Sequence, residues 1–515
     1  MREETAALHG RFHGACARRN SEQKEKTMKE NRREFIKKST GALTMTALAS
    51  QMRHFGLMSA LAQKPDKTSA VPSDYRALVC IFMLGGNDGN NTIIPFHSDA
   101  NLSNYANYFA LRNPQGLAIA QNAILPITVP RMSNLIYALH PALGAGANNN
   151  GLYELWNAGK LAVVANVGTL ALPTTRAQMM DFFHPKPYSL YSHSDQAAQY
   201  QSGRSDRLSS TGWGGRLSDQ RTAPDNPNSL IPMITSISGA QLFTAGQTTL
   251  PVAIASAPTG LNQVLNPQGY DASADSQAQL AAFNVLRTQD LNSEVVAAAS
   301  YVTDQATTVN NSLQTFQEIT VQFPNSSIGN QLKQIARIIK KRTDLNVNRQ
   351  IFFCQIGGFD THNLQINTHT TLLGQTSQAM RAFYDEMVVQ GLGDKVTQFT
   401  MSDFSRTMNP AGSGVGVGSD HAWANHHLVV GGGITASDFY GINTPNGTPY
   451  PTLRLDGPDD ADSGNGARGR WIPTSSVEQY AATLARWFGL PEANLADVFP
   501  RIGNFPNTNL GFMQA

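Results

Sequence analysis

The sequence predicts an α/β fold in which a mainly parallel β-sheet is flanked by helices. Several apolar runs, such as residues 77–84 and 161–168, are continuous rather than alternating, which is typical of strands buried on both faces of a parallel sheet. Segments with helical spacing separate these runs. Residues 331–342, for example, repeat apolar side chains every three or four positions, as one buried face of a helix requires.

The predicted elements follow one another in an order that fits one large domain. Strands are expected to begin near residues 77, 161, 350, 396 and 428. Helices are expected over residues 152–159, most of 272–341, about 370–390 and 474–489, a polar loop and helix over 174–203, and short strands with turns over 226–269. We expect a single α/β domain over residues 63–515 with a cap insertion near residues 226–330.

The N-terminus predicts export. A twin-arginine n-region, residues 31–38, is followed by a mildly apolar stretch and a cleavage site of small residues. Residues 1–62 therefore form a predicted signal segment, in which the polar residues 1–27 are interpreted as an over-extended start. Arg53 interrupts the apolar stretch, so we expect no stable membrane anchor and a periplasmic or secreted product.

Composition excludes several classes of partner. Of 515 residues, 41% are hydrophobic and 15% are charged, which is typical of a globular protein. The predicted signal segment contains 12 basic and 6 acidic residues, so its removal changes the formal net charge from +2 to −4. Such a chain does not attract nucleic acid or anionic lipid. Cys80 and Cys354 lie in predicted strands, where free thiols in the core are favoured over a disulfide.

Carboxylates and imidazoles collect at the predicted strand ends and in glycine-rich loops. These residues are Asp88, Asp360, His362, Asp403, Asp420, His421, His426 and His427. In parallel α/β folds, ligand-binding groups lie on loops at the carboxyl ends of the strands. A mixture of imidazole and carboxylate suits Zn²⁺ or Mn²⁺ better than Mg²⁺ or Ca²⁺, and two such ions would act together on an ester. The alternative is a structural polar cluster.

Some of the polar residues have two interpretations. His426 and His427 are neighbours on a predicted strand, so at most one of them reaches a shared site. Thr92 suits a nucleophile at a helix start, or equally a turn hydroxyl. Arg406 suits an oxyanion clamp or an ion pair with a neighbouring carboxylate. His193 suits a site residue or a solvated loop histidine.

Motifs spread over nearly the whole chain resemble the bacterial family called domain of unknown function 1501. They are the twin-arginine leader, the loop Leu-Gly-Gly-Asn-Asp88-Gly-Asn-Asn-Thr-Ile-Ile-Pro, Ser192-His193, Thr211-Gly-Trp-Gly-Gly-Arg216, Gly-Gly-Phe-Asp360-Thr-His362, Ser-Asp403-Phe-Ser-Arg406-Thr, Gly-Ser-Asp420-His421, Gly431-Gly-Gly and the helix from Tyr480 to Gly489. That family is similar to the alkaline phosphatase and sulfatase superfamily, which implies an alkaline-phosphatase-like fold.

The resemblance also implies a metal site. It implies metal ligands at Asp88, Asp360, His362, Asp403 and His421, with Asp420 as a further candidate. His426 is a further candidate from the residue pattern alone. Phe404 stands where the superfamily has a histidine ligand, which allows a centre with one metal or a degenerate centre.

The function implied is an exported, metal-dependent hydrolase of phosphate or sulfate esters. Its substrate would be a small anionic ester or a sulfated or phosphorylated glycan. Thr92 or an activated water would attack, and Arg406 would steady the oxyanion. The rival hypothesis is a non-catalytic exported protein that binds a glycan or another partner and keeps the fold with a decayed metal site.

Overall fold

The computed structural model describes residues 74–144, 151–249, 251–263, 270–292, 294–314, 318–409, 412–414 and 416–514. The predicted twin-arginine segment lies outside the described residues, so export remains a prediction. None of the helices in the described residues is long and apolar enough to cross a membrane.

The described chain alternates strands and helices. The strands are β1 (Arg76–Met83), β2 (Ile93–Pro95), β3 (Leu125–Val129), β4 (Leu135–Leu139), β5 (Leu161–Gly168), β6 (Ile234–Ser236), β7 (Val252–Ala253), β8 (Arg349–Ile356), β9 (Val396–Ser402), β10 (Asn425–Val430), β11 (Phe439–Tyr440) and β12 (Ser475–Ser476). The α-helices are α1 (Gly89–Thr92), α2 (Tyr105–Arg112), α3 (Tyr153–Asn157), α4 (Arg176–Met180), α5 (His193–Ser202), α6 (Trp213–Asp225), α7 (Ala274–Leu286), α8 (Glu294–Gln314), α9 (Ser327–Lys340), α10 (Gln365–Val389), α11 (Val477–Phe488) and α12 (Leu495–Val498).

Within the described residues, nine strands form the main sheet, in the order β11-β5-β10-β9-β1-β8-β6-β7, with β12 also paired to β5. All of its pairings are parallel except the two made by β10. This arrangement confirms the predicted α/β class. A smaller antiparallel sheet, β2-β4-β3, packs beside it.

The central strand β1 is buried on both faces, as its continuous apolar run predicts. Its side chains alternate between two apolar layers: Val79 and Ile81 belong to one layer, and Cys80 and Phe82 to the other. Helices α9 and α10 contribute to the first layer, and α6 and α11 to the second. The thiols of Cys80 and Cys354 are both free and buried.

Part of the region predicted as a cap belongs to the main sheet. Strand β6 pairs with β8, and β7 continues the sheet beyond it. Helices α7 and α8 follow, and α7 is exposed along most of its length.

The topology brings several loops to one edge of the sheet. Strands β1, β8 and β9 run parallel, so the loops after Met83, Ile356 and Ser402 leave at the same edge. Because β10 runs antiparallel to β9, the segment that precedes Asn425 enters from that edge as well. Most of the predicted metal-ligating residues therefore lie on loops at this edge.

Candidate metal centre

In the part of the chain that the structure describes, four side chains at this edge could hold a metal ion. They are His193, Asp360, His362 and His421, and one ligand atom from each lies within 4.8 Å of the others. His193 is the first residue of α5, whereas Asp360 and His362 lie on the loop after β8. His421 lies on the segment that leads into β10. Segments distant in sequence thus meet at one point.

The distances between these donor atoms match those of a metal site. Asp360 Oδ1 lies 3.1 Å from His362 Nε2, 3.2 Å from His193 Nε2 and 3.7 Å from His421 Nε2. The Nε2 atoms of His362 and His421 are 2.9 Å apart. Ligands about 2.0–2.1 Å from a central ion are separated by roughly 3.3 Å in a tetrahedron. These residues therefore fit a divalent cation.

Each imidazole has its other nitrogen turned towards an oxygen atom. His193 Nδ1 donates to Asp403 Oδ2 at 2.7 Å, and His421 Nδ1 donates to the carbonyl of Tyr191 at 2.7 Å. His362 Nδ1 lies 3.5 Å from Asp420 Oδ1. Metal-binding histidines usually have such partners, because these fix the ring and leave the second nitrogen free to coordinate.

His193 Nε2 supplies a further sign of a ligand site. This atom is buried and forms no hydrogen bond of good geometry with any described residue, although it lies 3.2 Å from Asp360 Oδ1 and points towards the other three donors. Buried polar atoms in native proteins are nearly always satisfied, and an orphaned atom needs an explanation. A bound cation would satisfy it.

Burial and nearby charges shift the pKa values of these side chains in different directions. Burial raises the pKa of Asp360, but the hydrogen bond and the positive charge of Arg406 have a larger, opposite effect. The pKa of Asp360 therefore lies below its usual value. Burial lowers the pKa of His421, and the positive charges nearby add to this effect. Burial also lowers the pKa of His193, yet the hydrogen bond and charge of Asp403 outweigh it and raise the pKa. Asp360 is therefore ionised at neutral pH, and a metal ion bound at this centre would compete with a proton at His193.

The centre is open to solvent on one side. The side chains of Asp360 and His362 are 50% and 44% exposed, while those of His193 and His421 are 29% and 26% exposed. An open side leaves room for water or for a substrate group next to the donors.

Glycines allow these loops to meet. Gly85 has φ +114°, and a Cβ atom there would lie 2.4 Å from the backbone nitrogen of Asp360. At Gly418 a Cβ would lie 2.1 Å from the carbonyl oxygen of Thr361. A larger residue at either position would push apart the loops that bear Asp360, His362 and His421.

Asp88, a predicted ligand, lies in a buried network whose hydrogen bonds reach the backbone of Arg406 and Thr407, and its carboxylate bonds to none of the four candidate ligands among the described residues. Its Oδ1 accepts from Asn90 N at 3.2 Å and Arg112 Nη2 at 3.0 Å. Its Oδ2 accepts from Arg112 Nη1 and Gln365 Nε2, both at 2.5 Å. Thr92, the predicted nucleophile, is buried beside it and donates its hydroxyl to the Asp88 carbonyl at 2.8 Å. Four donors thus occupy this carboxylate.

Three predicted site residues, Asp403, Asp420 and Arg406, surround the four candidate metal ligands His193, Asp360, His362 and His421. Asp403 is fully buried; besides holding His193, it accepts from Gly85 N at 3.2 Å with each oxygen. Asp420 lies beyond His362 and is paired with Arg468 at 2.9 Å. The Arg406 guanidinium is fully buried and contacts Asp360.

His426 lies in the core rather than among the four donors. Its Nδ1 accepts from Asn166 N at 3.2 Å, and its ring stacks on Tyr450 with centroids 5.0 Å apart. Burial lowers the pKa of His426 to about 3. His427 is equally buried and lies beside Tyr200.

His193 is the donor that sequence reasoning left undecided. The one sequence signal for it was the Ser192-His193 pair, which belongs to the motifs shared with the family. His193 and Asp360 are more than 150 residues apart in the sequence, so their proximity in space cannot be read from local patterns. It arises because α5 packs against β9.

Comparison with solved structures gives distant similarities. One is the PsFucS1 sulfatase from Pseudoalteromonas sp., with 10% sequence identity, a TM-score of 0.28, and coverage of 91% of this chain and 74% of the sulfatase. Another is a mutant of the alkaline phosphatase PafA, with 11% identity, a TM-score of 0.25, and coverage of 67% of this chain and 65% of that chain. Comparison with curated protein sequences gives no match.

The family resemblance seen in the motifs is confirmed. A family model described as "Protein of unknown function (DUF1501)" matches residues 75–449, which span β1 to Pro449 and include all four donors of the candidate metal centre. The match covers well over half of the chain, and the protein is therefore a member of the DUF1501 family.

Proposed function

We propose that the protein is an exported, metal-dependent hydrolase of phosphate or sulfate esters. The observation that carries the proposal is the tight group of four donors, His193, Asp360, His362 and His421, open to solvent on one side. Three imidazoles and one carboxylate suit Zn²⁺ or Mn²⁺ better than Mg²⁺ or Ca²⁺. When bound, such a cation polarises an ester oxygen and lowers the pKa of water.

The residues of the chain would prepare this chemistry. Asp403 and the Tyr191 carbonyl hold two imidazoles in the tautomer that leaves Nε2 available. Asp360 brings a negative charge that partly neutralises the cation. These contacts exist before any ligand arrives, which reduces the cost of organising the site.

An arginine at the rim supports an anionic substrate. Arg468 donates to Asp420 through Nη1 at 2.9 Å, and its side chain is 32% exposed. A guanidinium at the rim can donate to phosphate or sulfate oxygens that approach the centre. A small anionic ester, free or carried by a glycan, is therefore the proposed substrate class. The twin-arginine pattern before residue 62 supports action in the periplasm or outside the cell.

The test combines metal analysis with a substrate screen. Purified protein is loaded with Zn²⁺ or Mn²⁺, its metal content is measured, and chromogenic phosphate and sulfate esters are offered. We expect close to one ion per chain and metal-dependent turnover that His421→Ala and Asp360→Ala abolish. His184→Ala is the matched control, because this loop histidine bonds to Thr174 rather than to the centre.

Two outcomes count against the proposal. If the wild-type chain binds no metal at stoichiometric level, the centre is a structural polar cluster. If the metal binds tightly but no ester turns over, the non-catalytic binding protein becomes the better hypothesis.

A further inference from the structure

We infer that Arg406 is a positioning residue that sets the metal affinity of the candidate centre without contacting the ion. This inference rests on the metal centre of the proposed function and concerns how the chain assembles it.

The Arg406 guanidinium joins three loops at the sheet edge. Its Nε donates to the Gly86 carbonyl at 3.1 Å, and Nη1 donates to the Ser419 carbonyl at 2.9 Å. Nη2 donates to the carbonyls of Gly85 at 2.5 Å and Phe359 at 3.1 Å. A planar guanidinium with several fixed donors is suited to such a junction. The three loops are those that follow β1 and β8 and that precede β10.

The same guanidinium holds a candidate ligand. Arg406 Nη2 also donates to Asp360 Oδ1, the oxygen that faces all three imidazoles. The Asp360 side chain is half exposed, so without this charge-assisted bond it would be free to rotate into solvent. Arg406 therefore determines where the negative ligand lies.

The backbone beside Arg406 positions a second ligand. Thr407 N donates to the Asp420 carbonyl at 3.0 Å, and Ala422 N donates to the Ser405 carbonyl at 2.9 Å. These two bonds flank His421 on either side, and Arg406 forms an isolated β-bridge with His421. The segment that carries Arg406 thus fixes the segment that carries His421.

Residues just before Arg406 complete the arrangement. Asp403 holds the third ligand, His193, through Nδ1. The Phe404 ring lies against the rings of His193 and His421, with centroids 4.6 Å and 4.8 Å away. Residues 403–407 therefore orient three of the four candidate ligands, and Arg406 is the member whose side chain reaches across the loops.

This geometry separates two roles for Arg406. The guanidinium is fully buried, and its bonds run to backbone carbonyls and Asp360 rather than to the solvent side of the centre. A residue that clamps substrate would change KM for anionic esters. A residue that positions ligands changes the affinity for the metal, which is measurable without any substrate.

The experiment measures Zn²⁺ and Mn²⁺ affinity by competition with a chelator, and the absorption spectrum of the Co²⁺-loaded protein. We expect Arg406→Lys and Arg406→Ala to weaken metal binding by about 10- to 100-fold. We also expect an altered Co²⁺ spectrum, because Asp360 loses its fixed position. Added guanidinium ion should partly restore the affinity of Arg406→Ala, whereas lysine cannot span the three loops.

Arg216→Ala is the matched control. Arg216 is also a buried arginine; it donates to the carbonyls of Val498, Thr211 and Ser202, and Ser202 lies at the opposite end of α5 from His193. Its loss should lower the Tm while leaving metal affinity unchanged. This comparison separates ligand positioning from general damage to the fold.

The outcomes distinguish this inference from the proposed function. Wild-type metal affinity in folded Arg406→Lys overturns the positioning role while leaving the hydrolase proposal intact. Weakened binding in the variant, together with no ester turnover in the wild type, supports positioning and removes the hydrolase. If Arg406→Ala does not fold, the folded Arg406→Lys variant decides, since it must weaken metal binding if the inference is correct. A wild-type chain that binds no metal overturns both proposals.

Discussion

Asp88 and Asp360 make an instructive pair. Each follows a Gly-Gly dipeptide and one further residue, after neighbouring parallel strands, β1 and β8. Each forms an ion pair with a fully buried arginine, Arg112 and Arg406 respectively. Asp88 is 1% exposed, whereas the Asp360 side chain is 50% exposed and faces three imidazoles. The same local motif thus gives a core ion pair at one strand end and a candidate ligand at the next.

The difference lies in how the carboxylate oxygens are used. At Asp88, two arginine nitrogens, one amide side chain and one backbone N–H fill both oxygens, so the carboxylate is neutralised within the chain. At Asp360, one oxygen is shared between Arg406 and the histidines. A cation can add to the second arrangement but would have to displace Arg112 from the first.

The largest expected effect concerns stability at the buried pair. Asp88→Asn leaves the Arg112 charge buried without a counter-charge, so the free energy of unfolding should fall by about 3–5 kcal/mol. Asp360→Asn should cost much less, because that side chain is half exposed and Arg406 keeps its carbonyl partners. Urea unfolding of the metal-free variants measures both values. If both variants lose the same unfolding free energy, the carboxylates at the two strand ends do not differ in their contribution to stability.

A third carboxylate extends the comparison to a buried group that forms no ion pair with any residue that the structure describes. Glu478, near the start of α11, is fully buried and forms no salt bridge among the residues that the structure describes. Burial raises its pKa to about 8, from 4.5. Between these pH values the folded chain holds a proton that the unfolded chain releases, so stability should fall as pH rises.

Glu478→Gln should remove this part of the pH dependence. We expect the wild type to lose about 2–4 kcal/mol relative to the variant between pH 5 and pH 8, at up to about 1.4 kcal/mol per pH unit. Chemical unfolding of both proteins across this range tests it. Parallel curves for the two proteins would show that the carboxyl group is already ionised at pH 5.

For metal affinity, the order of the two variants should be reversed: Asp360→Asn should have a large effect and Asp88→Asn none. Asp360→Asn should weaken Zn²⁺ or Mn²⁺ binding by at least about 100-fold, because it removes a charged ligand, about 2.7 kcal/mol of binding free energy. Asp88→Asn should leave both affinity and stoichiometry unchanged in the folded fraction. Isothermal titration of the two variants with Zn²⁺ or Mn²⁺ measures the affinity and the number of bound ions. A change from two ions to one on loss of Asp88 would mean that this carboxylate holds a metal after all.

A smaller effect is expected from the carboxylate behind His193. Asp403→Asn keeps the shape of the side chain but removes the charge that orients the ring and raises its pKa. Metal affinity should fall by about 10- to 100-fold. The pH at which binding is half-maximal should also move down, since a less basic His193 releases its proton more readily. If the pH dependence of metal binding does not change, the proton that competes with the metal is not on His193.

Much of the fold could be predicted from local patterns. The continuous apolar runs at residues 77–84 and 161–168 correspond to β1 and β5, because a strand buried on both faces cannot alternate. The helix expected over residues 474–489 is α11, whose capping box joins Ser476 and Gln479. The short strands β6 and β7 were harder to place, since strands of two or three residues have no periodicity to read.

The candidate site was predictable only in part. Asp360, His362 and His421 could be proposed because acids and imidazoles recur together at several predicted strand ends and glycine-rich loops, although no single pair of them is diagnostic. The role of His193 was not, because its partner Asp403 is 210 positions away. Nor could the pairing of Asp88 with Arg112 be read from spacing, because any arginine in the chain can supply the counter-charge.

By itself the sequence determined the class of fold, the family and the set of residues able to carry metal chemistry, since all three depend on local order along the chain. Only the tertiary structure decided which carboxylate is neutralised by arginine and which faces histidines. The physical reason is that coordination and ion pairing act over about 2–4 Å in space, and the positions involved are separated by tens to hundreds of residues in the chain.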